Sequence, residues 1–323
     1  MLRSATRSSI RNTLAIAVLV LTVGMLYSNF DPVPAGDDFS GIAVAPPAPV
    51  AVAPAASLKS SADDMVEQTS SEASTTKLCS QKNELSQDFV NVQECLTMLS
   101  AGREFFNGVP DYSVMFHKRE RIGGDLQEPQ TIQMKIQQKP HFSVYMKWQN
   151  FERGRQLLYS DQYDDGCIVV KFGGMKRFLP SVRLEPDCSL AMSESRYPAT
   201  KAGILGMIGQ ISQHRENDMK TKPKMVCTRT EVEFDGRPGV QFFFLYDDIK
   251  GNKTYRKSYL TIDKEYQVPV DVRNYTWSKQ SEGLSEVQLD EQTLIEQYSF
   301  TQLNPTTQMA DSDFSRDNPR YRM

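Results

Sequence analysis

Three histidines, five cysteines and 40 acidic residues are the groups in this 323-residue chain that could do chemistry. His117, His141 and His214 lie far apart in different stretches, without the short spacing that puts metal ligands on one turn. Cys79, Cys95, Cys167, Cys188 and Cys227 form no C-x-x-C pair. Cys79 and Cys95 are the nearest two and the candidate disulfide; with an odd count, at least one thiol of a monomer stays free. Asp161, Asp164, Asp165 and Gly166 lack the alternating ligands of a calcium loop and read as a hairpin turn. Gly203, Gly206 and Gly209 are not followed by the Lys-Ser/Thr of a phosphate loop, and read as close packing of a helix. Glu120, Asp187 and Glu296 are scattered among separate strands, and nothing in the sequence pairs them for acid–base work. No G-x-S-x-G, H-E-x-x-H or Walker A motif occurs. The expectation is a protein that is not an enzyme and has no metal or cofactor.

Charge excludes another class. Lys and Arg number 37 against the 40 acidic residues, so there is no basic excess for a nucleic-acid partner. The N-terminus points elsewhere. Arg3, Arg7 and Arg11 precede an uncharged apolar run, LAIAVLVLTVGMLY, at 14–27. A basic flank before such a run is an export signal or a membrane anchor. An Ala/Pro/Ser-rich stretch at 31–76 cannot bury enough surface to fold and reads as a tether. The expected organisation is a signal or anchor at 1–30, a linker at 31–76 and a folded body at 77–323. A tether needs something tied at each end, which favours an exported domain held at the inner membrane over a cleaved, soluble periplasmic one.

The elements of the body follow from periodicity. Tyr112, Val114 and Phe116, then Ile132, Met134 and Ile136, then Phe142, Val144, Met146 and Trp148 alternate with polar residues. Period 2 of this kind marks half-buried strands, here an antiparallel meander. Strands are also expected at 156–160, 167–172, 225–234, 240–246, 255–262, 267–277 and 293–303, the last closing the sheet. Asp235-Gly236 is a hairpin turn, and Phe242 and Phe244 share one face of the strand that follows. Two helices are expected. At 88–100, Val92, Cys95, Leu96 and Leu99 form one stripe; at 201–215, Ile204, Leu205, Ile208 and Ile211 form another.

Combined, YSVMFHKRERIGG, PHFSVYMKW, LEPDCSLAMSESRYPAT, YLTIDKEYQVPVDVRNYTW, QYSFTQLN and DFSRDNPRY resemble the bacterial family known as domain of unknown function 1571, over about residues 94–321. Cys188 departs from the pattern, standing where a small turn residue such as Gly is expected. That family is similar in architecture to the lipoprotein carriers LolA and LolB and to the RseB sensor domain. The resemblance implies an α+β fold: one large curved antiparallel sheet, a half-open barrel of about 9–11 strands, with two main helices on its concave face. It implies an apolar cavity lined by Val114, Phe116, Ile132, Met134, Ile136, Val144, Met146, Trp148, Phe242 and Phe244. The helix carrying Ile204, Leu205, Ile208 and Ile211 would be its lid. The partner would be a lipid or acylated protein; the alternative is an envelope sensor or protein-interaction module without lipid.

Overall fold

The computed structural model describes residues 86–279, 283–321 and 323. Twelve strands form one open antiparallel sheet: β1 (Asp111–Ile122), β2 (Asp125–Leu126), β3 (Gln130–Gln137), β4 (Ser143–Trp148), β5 (Gln156–Ser160), β6 (Ile168–Lys171), β7 (Val182–Leu184), β8 (Met225–Phe234), β9 (Arg237–Tyr246), β10 (Lys257–Asp263), β11 (Pro269–Tyr275) and β12 (Leu294–Asn304). The order across the sheet is β7-β6-β5-β4-β3-β1-β12-β11-β10-β9-β8, with β2 paired only to β1. The expected architecture is the one found. The last strand does not close the sheet, however: β12 lies at its centre, joining β1 of the first meander to β11 of the second.

Two long helices cover one face, here called inner. Helix α1 (Gln87–Asn107) buries Val92, Cys95, Leu99 and Phe106, one stripe at helical spacing. It runs past the expected end at residue 100 because Gly102 continues the buried stripe. A Cβ at Gly102 would collide with the carbonyl of Gln267, so glycine there lets α1 touch the β10–β11 turn. A short helix α2 (Ser189–Met192) follows β7, and Cys188 is its N-cap: the Sγ accepts from Ala191 N at 3.5 Å. The cysteine thus serves where a capping Ser or Asp usually does.

Helix α3 (Ile204–Thr221) starts later and ends later than 201–215. Gly203 has φ +90°, which breaks the chain before Ile204, and Tyr112 Oη then accepts the Ile204 N–H at 2.8 Å. Gly206 lies against the Lys201 carbonyl, as close packing requires, whereas Gly209 meets nothing. A further helix, α4 (Glu286–Thr293), was not expected from the apolar pattern. It is set by a capping box in which Ser285 and Gln288 bond each other's backbone N–H groups.

The outer face is sealed over β4–β6 by the C-terminal segment. Phe314 and Tyr321 pack on Tyr145, Leu158 and Val169, and the Tyr145 and Tyr321 rings stack at 3.9 Å. The free edge of β8 is guarded differently. Asp88 accepts the Cys227 N–H at 2.8 Å, and Asn91 donates to the Cys227 carbonyl at 2.6 Å, so α1 occupies backbone groups that another strand would pair with. Asn91→Ala leaves that carbonyl without its donor and is expected to cost about 1–3 kcal/mol in urea unfolding. An unchanged midpoint would mean α1 is not fastened here.

Candidate binding face of the sheet

The even-numbered residues of β1 set the inner face. Tyr112 pairs with Ile136, Val114 with Met134 and Phe116 with Ile132 on β3; these continue to Val144, Met146 and Trp148 on β4. On the other half, Phe242 pairs with Leu260 and Phe244 with Ser258. The sequence-predicted cavity residues therefore come together on one face. Nine of them are buried in one core with Val92, Cys95, Leu99 and Phe106 of α1 and Ile204 and Ile208 of α3; Phe116 is partly buried against it. Leu205 and Ile211 are half-buried at its margin. The face is filled by helix side chains in this structure. An open cleft of about 400 Å³ lies instead near β8 and β9, lined by Val226, Leu245, Tyr246, Arg256 and Trp277 among others.

The face is not apolar throughout. Its β1 row continues from Phe116 to Lys118 and Glu120, and Glu120 stands directly opposite Glu296 on β12. Nothing in the sequence pairs Glu120 with Glu296; the pairing of β1 with β12 brings them together. Glu296 accepts from Asn274 Nδ2 at 2.7 Å, Tyr255 Oη at 3.0 Å, Arg196 Nε at 2.8 Å and Tyr197 Oη at 3.1 Å. Glu120 accepts from Tyr298 Oη at 2.5 Å, Lys118 Nζ at 3.1 Å and the Arg196 N–H at 3.3 Å. Two carboxylates with two cations leave the cluster neutral, which is how charges are carried in a buried setting. Burial, with the charges of Glu296 and Glu120, raises the Tyr298 phenol well above its ordinary range. Both carboxylates are saturated with donors and almost wholly buried, so the pair's role here is to pin the 193–197 segment onto the sheet.

A second polar group sits under α3. Arg215 places its guanidinium 3.9 Å from the Phe244 ring, and Asp218 accepts from Tyr246 Oη at 2.7 Å and faces Arg215 Nε at 3.3 Å. Burial pushes the Asp218 carboxyl up, against the opposing pull of Arg215. Burial likewise pushes the Cys227 thiol up to about 12, and Cys95 further. These are inert packing thiols rather than nucleophiles. Cys95 carries a free thiol; Cys79, its candidate partner, lies outside the described residues.

The remaining candidates are separate. His117 bonds Thr131 and Thr301 at 3.3 and 3.0 Å, His141 meets Asp161 at 3.5 Å, and the His214 ring lies 4.9 Å from Tyr255. The Asp164–Gly166 turn spends Asp165 on Arg183 at 3.0 Å and Asp164 on Arg316 at 3.3 Å. Among the described residues no three His, Cys, Asp or Glu side chains gather as a metal site.

Two histidines give a pH signature. Burial lowers the pKa of His214, reinforced by Arg215 and opposed by Asp218 and Glu296; burial also lowers that of His117, opposed by Asp235. The unfolded chain therefore binds more protons just below the ordinary histidine value. Stability present above about pH 6.5 should fall as pH drops through that value toward the lowered ones. The urea midpoint is expected to fall from pH 7.5 to 5.5, and by less in the H117Q/H214Q variant. Equal falls in both proteins would remove the histidines from the pH response.

Residues 109–323 match the family model described as a protein of unknown function, DUF1571. The chain belongs to this family. No curated protein matches it. Among solved structures, the DUF1571 chain is similar to the lipoprotein LppX of Mycobacterium tuberculosis, at 11% identity and TM-score 0.37, over 68% of this chain and 99% of that one. It is similar to a putative outer membrane lipoprotein-sorting protein domain of Vibrio parahaemolyticus, at 10% identity and TM-score 0.32, over 70% and 98%. A LolA superfamily protein of Nitrosomonas europaea follows at 11% and 0.28, over 69% and 98%. No described helix is long and apolar enough to cross a membrane, and the apolar run at 14–27 lies outside the described residues.

Proposed function

We propose that this chain is an exported, non-enzymatic envelope protein that binds a lipid or lipoprotein acyl chain against the inner face of its sheet, beneath α3. The observation that carries the reading is the cluster of apolar side chains that β1, β3, β4 and β9 present to one core, roofed by separate helices rather than by a second sheet. Helix α3 enters through Gly203, whose φ of +90° turns the chain onto the sheet against Tyr112 and Ile136. An acyl chain taking its place would meet the residues that Ile204 and Ile208 now cover.

The exchange is balanced in magnitude. Burying a fourteen-carbon chain yields roughly 10 kcal/mol gross at about 0.8 kcal/mol per CH₂. Uncovering the buried Ile204 and Ile208 and the half-buried Leu205 and Ile211 of α3 costs on the order of 5–9 kcal/mol. Loading and release are then both accessible, as a carrier needs. Native mass spectrometry of the protein purified from membrane-containing cells should show bound lipid. Hydrogen exchange in α3 should rise or fall when phospholipid or acylated peptide is added. Recovery without lipid, together with α3 protected like the central strands and unmoved by lipid, would make α3 a fixed core helix.

Export is read from Arg3, Arg7 and Arg11 on the N-terminal side of the apolar run, an arrangement that favours a body outside the cytoplasm. Alkaline phosphatase fused after Met323 should be active in intact cells; an inactive fusion would reverse the topology.

A further inference from the structure

Two loops at one end of the sheet carry apolar side chains that nothing in the fold covers. Met175 is 97% exposed and Phe178 81%, both in the segment after β6; Phe151, 49% exposed, lies in the β4–β5 loop. Large exposed apolar residues mark a contact surface when they are gathered in one patch rather than scattered singly. The two loops are joined. Gly174 N donates to the Arg153 carbonyl at 3.1 Å, and a Cβ on Gly173 would collide with the Glu152 carbonyl and Arg155 N. Glycine at 173 is what allows the second loop to lie against the first.

Cations of one sign surround the apolar residues. Arg153 and Arg177 are exposed and Lys176 half-exposed. Among the described residues none of the three forms an ion pair, whereas the acidic Glu152 and Glu194 of this region are both engaged by Arg155. The Arg177 guanidinium lies 4.8 Å from the Phe178 ring, so cation and aromatic present themselves together. Apolar tips flanked by unpaired Lys and Arg suit the boundary between acyl chains and anionic headgroups.

We infer that the tip built from Phe151, Met175 and Phe178 with Arg153, Lys176 and Arg177 docks on an anionic lipid bilayer. The apolar side chains enter the headgroup boundary, and the three cations sit at the level of the phosphates. This contact is independent of whether the inner face takes a ligand. It gives the body a second attachment and a fixed orientation on a membrane.

Oxidation of Met175 reports the contact. The full-length chain is placed in nanodiscs of phosphatidylcholine, alone or with phosphatidylglycerol, and exposed to dilute peroxide; Met309, packed in the outer-face cluster, serves as internal reference. With each basic residue adding about fivefold to binding at an anionic surface, Met175 is expected to oxidise at least roughly tenfold more slowly in the anionic discs. Raising the salt should shrink the difference. The triple variant Arg153→Glu, Lys176→Glu, Arg177→Glu changes only surface positions and should abolish it. Equal oxidation in the two discs overturns the inference. So does a difference that survives charge reversal, and so does protection of Met175 only when another protein is added.

Discussion

Replacing Glu296 by alanine lowers the stability of the folded body by roughly 3–5 kcal/mol, the usual cost of removing one partner from a buried charge pair. Asn274 Nδ2, Tyr255 Oη, Tyr197 Oη and Arg196 Nε all lose their acceptor at once. The first two are buried, with no solvent to replace it. Glu296→Gln keeps an acceptor oxygen for Tyr255 and Asn274 and leaves only Arg196 Nε facing an amide donor, which it cannot accept from, so its loss should be smaller than that of the alanine variant without vanishing. Urea unfolding at neutral pH separates the two variants. A loss below about 1 kcal/mol for the alanine variant would mean solvent reaches the cluster and satisfies these donors.

Phe244→Ala is the second large effect. The ring is 1% exposed, lies beneath α3 and carries the Arg215 guanidinium on its face. Truncation opens a cavity and removes the surface over which that buried cation rests, for an expected loss of roughly 3–5 kcal/mol. The same variant tests the proposed function. If the closed packing is the resting state, the empty protein is destabilised and lipid restores part of the loss. A nearly neutral change with unaltered lipid retention would take Phe244 out of both the core and the ligand site.

The alternation in 111–148 and the Asp235-Gly236 turn make most of the sheet legible in the sequence, because a half-buried strand writes its burial directly into period 2. Two signals of the polar groups were also present. Lys118 and Glu120 continue the phase of Tyr112, Val114 and Phe116, so charges stood at inward positions. Arg215 and Asp218 continue the stripe of Ile204, Ile208 and Ser212 at helical spacing. A charge in the buried phase implies a buried partner. What no periodicity could supply was the partner's identity: Glu296 lies 176 residues beyond Glu120, and only the placement of β12 brings them face to face. The Ser285–Gln288 box for α4 was readable, yet α4 buries little apolar surface and leaves no stripe. The tip at Met175 and Phe178 was equally silent, since an exposed apolar residue and a buried one look alike in a sequence.

The central position of β12 fixes when the fold can be completed. Until residues 294–304 have left the ribosome, the β1 and β11 edges that flank this strand have nothing to pair with, and the chain is two separate stacks of hairpins. Joining them closes a contact as distant as His117 with Thr301, 184 residues apart, which topology makes slow. Any truncation before Leu294 would leave those two edges open to other chains.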